Sequence, residues 1–142
     1  MKNEYTCFCG LYCLNCAVKA KIEPTAKLLH TEMKKAGFED IIHLIDDGEG
    51  FWRFLKSVSE KGACISCRAG SGNPGCTVRL CAKEKEIEMC GLCESYPCKK
   101  FDELFKTYPI LKIDNNILQI KGIDEWIIMQ NKRNADGFTY TD

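Results

Sequence analysis

Eleven cysteines in 142 residues dominate the chemistry open to this chain. Three pairs have two residues between them: Cys13 with Cys16, Cys64 with Cys67, and Cys90 with Cys93. A tight turn at that spacing brings two thiolates to one metal, about 2.3 Å from each sulfur, and two such pairs complete a tetrahedral four-cysteine zinc site. Cys9 precedes the first pair, Cys76 and Cys81 stand between the second and third, and Cys98 follows the third. Inside one helix Cys76 and Cys81 would diverge by roughly 140°, so they share a metal only if Cys76 sits at or before the helix start. Cys98 follows Pro97, which places its sulfur at a helix amino terminus, where the dipole favours a thiolate. Cys7 has only Cys9 close to it and reads as a spare thiol that packs as a small hydrophobe.

No other constellation competes with the cysteines. His30 and His43 are the only histidines, each far in sequence from any cysteine pair, and no Ser-His-Asp or Cys-His arrangement is present. Gly70-Ser71-Gly72-Asn73-Pro74-Gly75 neither follows a strand nor ends in Lys-Ser/Thr, so it reads as a mobile loop and not a phosphate cradle. Asp46-Asp47-Gly48-Glu49 lacks the ligand spacing of a calcium loop and reads as a solvated turn.

The elements that must position the sulfurs read as helices. Pro24 suits a first helical turn, Ala26, Leu29, Met33 and Ala36 recur at helical spacing, and Gly37 supplies a stop. Phe38 to Ile45 is a second short helix or a buried strand. Phe51, Trp52, Phe54, Leu55 and Val58 form an apolar helical face that anchors the core and that Gly62 closes. Thr77 to Glu88 is a charged helix, and Pro97 starts another that Pro109 ends. Asp114 caps a helix through Lys121, or belongs to a hairpin turn; Gly122 breaks the run, and a last helix carries Trp126, Ile127 and Gln130. The expected fold is a single mainly α domain over residues 1–142, small and stapled by Cys-rich metal sites of the zinc-knuckle kind.

Composition narrows the function. Twenty basic residues balance twenty acidic ones, which argues against a general nucleic-acid binder and against electrostatic attachment to a membrane. No apolar run approaches the roughly 18 residues of a membrane span. The amino terminus leaves no room for the apolar stretch of a signal peptide, and an odd, densely paired cysteine set suits a reducing compartment. Both point to the cytoplasm.

The whole pattern, Cys9-Gly10-Leu11-Tyr12-Cys13-Leu14-Asn15-Cys16, Cys64-Ile65-Ser66-Cys67, Cys76-Thr77-Val78-Arg79-Leu80-Cys81 and Cys90-Gly91-Leu92-Cys93-Glu94-Ser95-Tyr96-Pro97-Cys98, resembles the microbial family catalogued as domain of unknown function 3795. The resemblance extends to Glu125-Trp126 and Gly137-Phe138. It implies a presumed zinc-binding role without an established activity, with ten cysteines as ligands and Cys7 as the extra. Ten thiolates are enough for about two zinc ions. One would be held by Cys64, Cys67, Cys76 and Cys81, the other by a set drawn from Cys13, Cys16, Cys90, Cys93 and Cys98, with Cys9 as an alternative. An iron-sulfur cluster is the competing cofactor. The expected function is a zinc-stabilised binding or adaptor module for a protein partner, not an enzyme. The alternative is an iron-sulfur, thiol redox or metal-handling protein in which Cys9 and Cys98 are the labile thiols.

Overall fold

A computed structural model describes residues 4–141. As the periodicity requires, the architecture is mainly α-helical, and the Thr6–Tyr12 antiparallel bridge is the only β pairing among the described residues. The chain divides into two compact units, Met1–Cys16 with Ile65–Asp142, and Ala17–Cys64.

In the second unit a π-helical turn, Val18–Ile22, leads into helix α1, Glu23–Lys35. Pro24 occupies its first turn, where a missing amide hydrogen costs nothing, and Gly37, at φ 78°, ends the run in the left-handed conformation. The ambiguous segment that follows is helical: α2, Phe38–Ile41, passes into a 3-10 turn at Ile42–Leu44. Helix α3, Gly48–Lys61, packs on α1. Leu55 and Val58 are its buried apolar residues, whereas Phe51 and Phe54 of the expected core face are exposed. The Glu23 carboxylate accepts from the amides of Ala63 at 2.9 Å and Cys64 at 3.1 Å, tying the exit of α3 to the start of α1.

The first unit is organised by its last helix, α6, which follows α4 (Thr77–Glu84) and α5 (Asp102–Thr107) and spans Ile110–Ala135. Gly122 interrupts it with φ 81° and ψ 175°, values that only glycine adopts without strain. Two 3-10 turns, Cys13–Asn15 and Cys90–Leu92, pack on α6. Tyr12, Met89, Leu118 and Trp126 close one core, with the Tyr12 ring meeting the Trp126 ring edge-on at 5.9 Å. Phe8, Val78, Ala82, Cys90 and Phe101 form the other.

Three expectations change at this level. The helix beginning at Thr77 stops at Glu84 and not Glu88. Cys98 stands before a 3-10 turn, Lys99–Phe101, that runs on into α5 at Asp102, so the first turn of the expected helix is 3-10. The glycine-rich loop after Arg68 is tied down: the buried Arg79 guanidinium donates to the carbonyls of Ser71 at 2.6 Å and Asn73 at 2.7 Å. Metal staples are also absent from the architecture, because no group of three or more His, Cys, Asp or Glu among the described residues could hold a metal ion. Packing of two apolar cores and side-chain hydrogen bonding hold the first unit instead. No described helix is long and apolar enough to cross a membrane.

Candidate functional site

The pairs Cys13 with Cys16 and Cys90 with Cys93 form the turns their spacing suggests and Cys64 with Cys67 does not, and no group of three or more sulfurs among the described residues could hold a metal ion. Cys13 is buried and Cys16 exposed, so the two ends of one pair sit in different environments. Cys90 is buried and Cys93 half-buried. Cys64 closes the second unit while Cys67 belongs to the first. Cys90 lies in the apolar core with Phe8 and Phe101, and Cys9, Cys67, Cys76 and Cys98 pack against that core. Cys90 therefore packs as a small hydrophobe. None of the eleven cysteines is in a disulfide.

Around Cys90 the packing leaves a cavity of about 240 Å³. Val78, Ala82, Ile87 and Phe101 give it an apolar wall, and Cys81, Cys90, Cys93 and Cys98 line the rest together with Tyr96. Two exposed lysines, Lys85 and Lys100, are the formally charged groups on its lining, and no carboxylate faces it. Burial pushes the Cys90 thiol up to about 12, helped by the negative potential of Cys9, Cys81, Cys93 and Cys98 around it, so it is neutral. Burial likewise raises the Tyr96 phenol, whose ring meets Phe101 edge-on at 5.0 Å. The cavity is apolar within, with the two lysines as its formally charged side chains.

A second group of sulfurs surrounds Cys7. The Cys7 Sγ lies 3.5 Å from Cys13 Sγ, and both residues are buried. Hydrogen bonding to Cys13, then to Cys67 and Cys9, holds the Cys7 thiol well above its ordinary range, with burial acting in the same direction. The same hydrogen bond from Cys7 lowers Cys9. It also brings Cys67 down to about 6, aided by the Phe8 amide and the Arg79 guanidinium. Cys7 is thus the protonated hub of the group, not a bystander. Sequence reasoning missed this because it weighed Cys7 against Cys9 alone and not against Cys13, six residues on.

Two glycines are explained by one side chain. Asn115, fully buried on α6, donates from Nδ2 to the Cys9 carbonyl at 3.0 Å. Its amide occupies the space that a Cβ on Gly10 or on Gly91 would need. Both Cys-Gly-Leu tripeptides are therefore shaped to accept Asn115 between them. From the same helix, Gln130 accepts from Asn15 Nδ2 at 2.8 Å and donates to the Asp114 carboxylate at 2.8 Å. Asp114, expected as a helix cap or turn residue, is a fully buried anchor within α6.

Fold and site together define a small helical protein with a thiol-lined cavity. The chain belongs to the family described as "Protein of unknown function (DUF3795)", whose model matches residues 5–103. Glu125-Trp126 and Gly137-Phe138 lie beyond the matched residues. Neither the curated proteins nor the solved structures yielded a match. The zinc role presumed with the family is corrected by the geometry: zinc, at about two ions per chain, and the iron-sulfur alternative both require converging ligands, which the described residues do not supply. The zinc-stabilised adaptor falls with them, as do the metal-handling reading and Cys9 and Cys98 as thiols left over from filled sites.

Proposed function

We propose that the chain binds a small, largely apolar molecule carrying one negative charge, in the cavity around Cys90. The observation that supports this is the lining itself, apolar and thiol-rich with Lys85 and Lys100 as its charged groups. An apolar pocket with a few polar groups that fix orientation is the usual form of a small-molecule site. Its 240 Å³ equals the liquid volume of roughly eight waters, which suits a compact carboxylate and is too small for a nucleotide chain. The balanced charge of the chain agrees with that choice. We place the protein in the cytoplasm, because an odd, densely paired set of eleven cysteines suits a reducing compartment.

Benzoate is a suitable probe. At about 0.5 kcal/mol for each of its roughly nine non-hydrogen atoms, it should bind with a Kd near 1 mM. Titration followed by amide NMR should move the resonances of Val78, Ala82 and Phe101, and benzyl alcohol should bind more weakly. Lys85→Met with Lys100→Met should weaken benzoate about fivefold and leave benzyl alcohol unchanged. Unmoved cavity resonances at about 20 mM benzoate, some twentyfold above that Kd, would reject the reading.

A further inference from the structure

Helices α1 and α3 of the second unit run antiparallel. The Glu23 carboxylate at the start of α1 holds the amides just past the end of α3, and midway along the pair the His30 and Trp52 rings meet at 4.8 Å. Leu29 and Phe51 each precede a member of that ring pair by one residue, which is 100° around the helix. In an antiparallel pair the same rotation on both helices leads to the same side, so Leu29 and Phe51 share the side of the hairpin away from the rings. Ile22, seven residues before Leu29, and Phe54, three after Phe51, extend the two stripes. Ile45 lines one hollow with Phe51 and continues the patch. Phe54 is 70% exposed, and Ile22, Leu29, Ile45 and Phe51 are between 44% and 51% exposed. Together they leave on the order of 500 Å² of apolar surface open, toward the upper end of what a monomer ordinarily shows.

The charge of the same hairpin is segregated along its length. Residues 32–53, at the loop end, carry six carboxylates against three cations, whereas residues 17–31 with 54–64, at the open end, carry five lysines against two carboxylates. The row through Phe54 repeats that polarity: Asp47 and Lys61, both exposed, stand seven residues before and after it, about two turns away.

We propose that this face pairs two copies of the chain about a twofold axis, with the α1–α3 hairpin of each copy antiparallel to that of the other in a four-helix bundle. The twofold sets the two Phe54 rings near its axis and brings Asp47 of each copy to Lys61 of the other. Charge selects a second copy as the occupant, because the antiparallel arrangement lays the acidic end of each hairpin on the basic end of its mate. A partner of one charge would be repelled by one end. Area agrees: a homodimer interface is about 65% apolar, so one that contains about 500 Å² of apolar surface covers about 800 Å² on each copy, the size of a standard stable interface. Such an isologous contact closes at two copies.

Sedimentation equilibrium of the full chain tests the pairing, under reductant so that the exposed Cys16 cannot link copies. Wild type should pass from 16.1 kDa to twice that mass with a Kd on the order of 10 µM, and go no further. Phe54→Ser, at a side chain largely open to water, should weaken the pairing at least about thirtyfold. Lys61→Glu should weaken it about tenfold, and about 0.5 M salt should weaken wild type more than this variant. Ile120→Ser, at an exposed apolar side chain of the first unit, should leave it unchanged. A chain that stays monomeric at about 300 µM, some thirtyfold above the expected Kd, would overturn the proposal. So would growth beyond two copies, or undiminished association in Phe54→Ser. A monomer that sediments with phosphatidylglycerol vesicles would give the face to lipid and overturn it as well.

Discussion

Replacing Asp114 with alanine should be among the most damaging single changes to the first unit. Its carboxylate has no exposed surface and receives Arg133 Nη1 at 2.7 Å on each oxygen, together with Gln130 Nε2 at 2.8 Å. Breaking a buried ion pair costs about 3–5 kcal/mol, because the surviving charge is left without its partner. Arg133 is 25% exposed and can recover some water, which favours the lower end of that range. Gln130 is fully buried and would keep an unpaired donor, adding about 1 kcal/mol. The sum is about 4 kcal/mol, a large part of the 5–15 kcal/mol that stabilises an ordinary domain. With a urea m-value of about 2 kcal/mol per molar, the unfolding midpoint should fall by about 2 M. Asp114→Asn keeps the shape and an acceptor for Gln130, and should lose about half as much. Arg133→Met strands the Asp114 charge, so the double variant should cost less than the two singles added together, with a coupling of at least about 1 kcal/mol. A midpoint loss worth under about 1 kcal/mol, or strict additivity, would refute the view that this network anchors α6.

Two further outcomes follow from close contacts and from the shifted thiols. Gly10→Ala should destabilise by about 2–3 kcal/mol, since it forces a side chain at φ 95° and drives a Cβ into the Asn115 amide; calorimetry should show the loss, and adding Asn115→Ala should relieve the steric part. Urea midpoints measured under reductant should rise from about pH 6 to 9 and fall above it. Cys67, lowered from 9.0 to about 6, stabilises the fold above 9.0 and loses that contribution as pH drops through 6. Cys90, raised from 9.0 to about 12, contributes fully below 9.0 and loses its contribution as pH climbs through 12, with the half-buried Tyr140 phenol acting in the same direction. Cys67→Ser should flatten the acid limb and Cys90→Ala the alkaline one, and a pH-independent midpoint in wild type would contradict both assignments.

The helices were legible wherever local chemistry decides the backbone. Pro24, Gly37 and Gly62 stand at the boundaries their stereochemistry favours, and Gly122 interrupts α6 where it interrupts the apolar pattern. What escaped was anything decided across the chain. Asp114, next to two asparagines, has the local signature of a cap or turn, and only Gln130 and Arg133, one helical kink away, turn it into a buried anchor. The cysteines show the same division. Spacing of two residues reports a tight turn in two of the three pairs, as 3-10 turns at Cys13–Asn15 and Cys90–Leu92, and not between Cys64 and Cys67. A turn, however, does not say what it is for. Both of these press on α6, and the glycine in each Cys-Gly-Leu tripeptide gives room to the one Asn115 amide. A metal knuckle and a helix-docking turn ask for the same small residue after the same cysteine, so the motif alone could not separate them. Asn115 separates them, because a buried amide with a donor on the Cys9 carbonyl accounts for both glycines through packing.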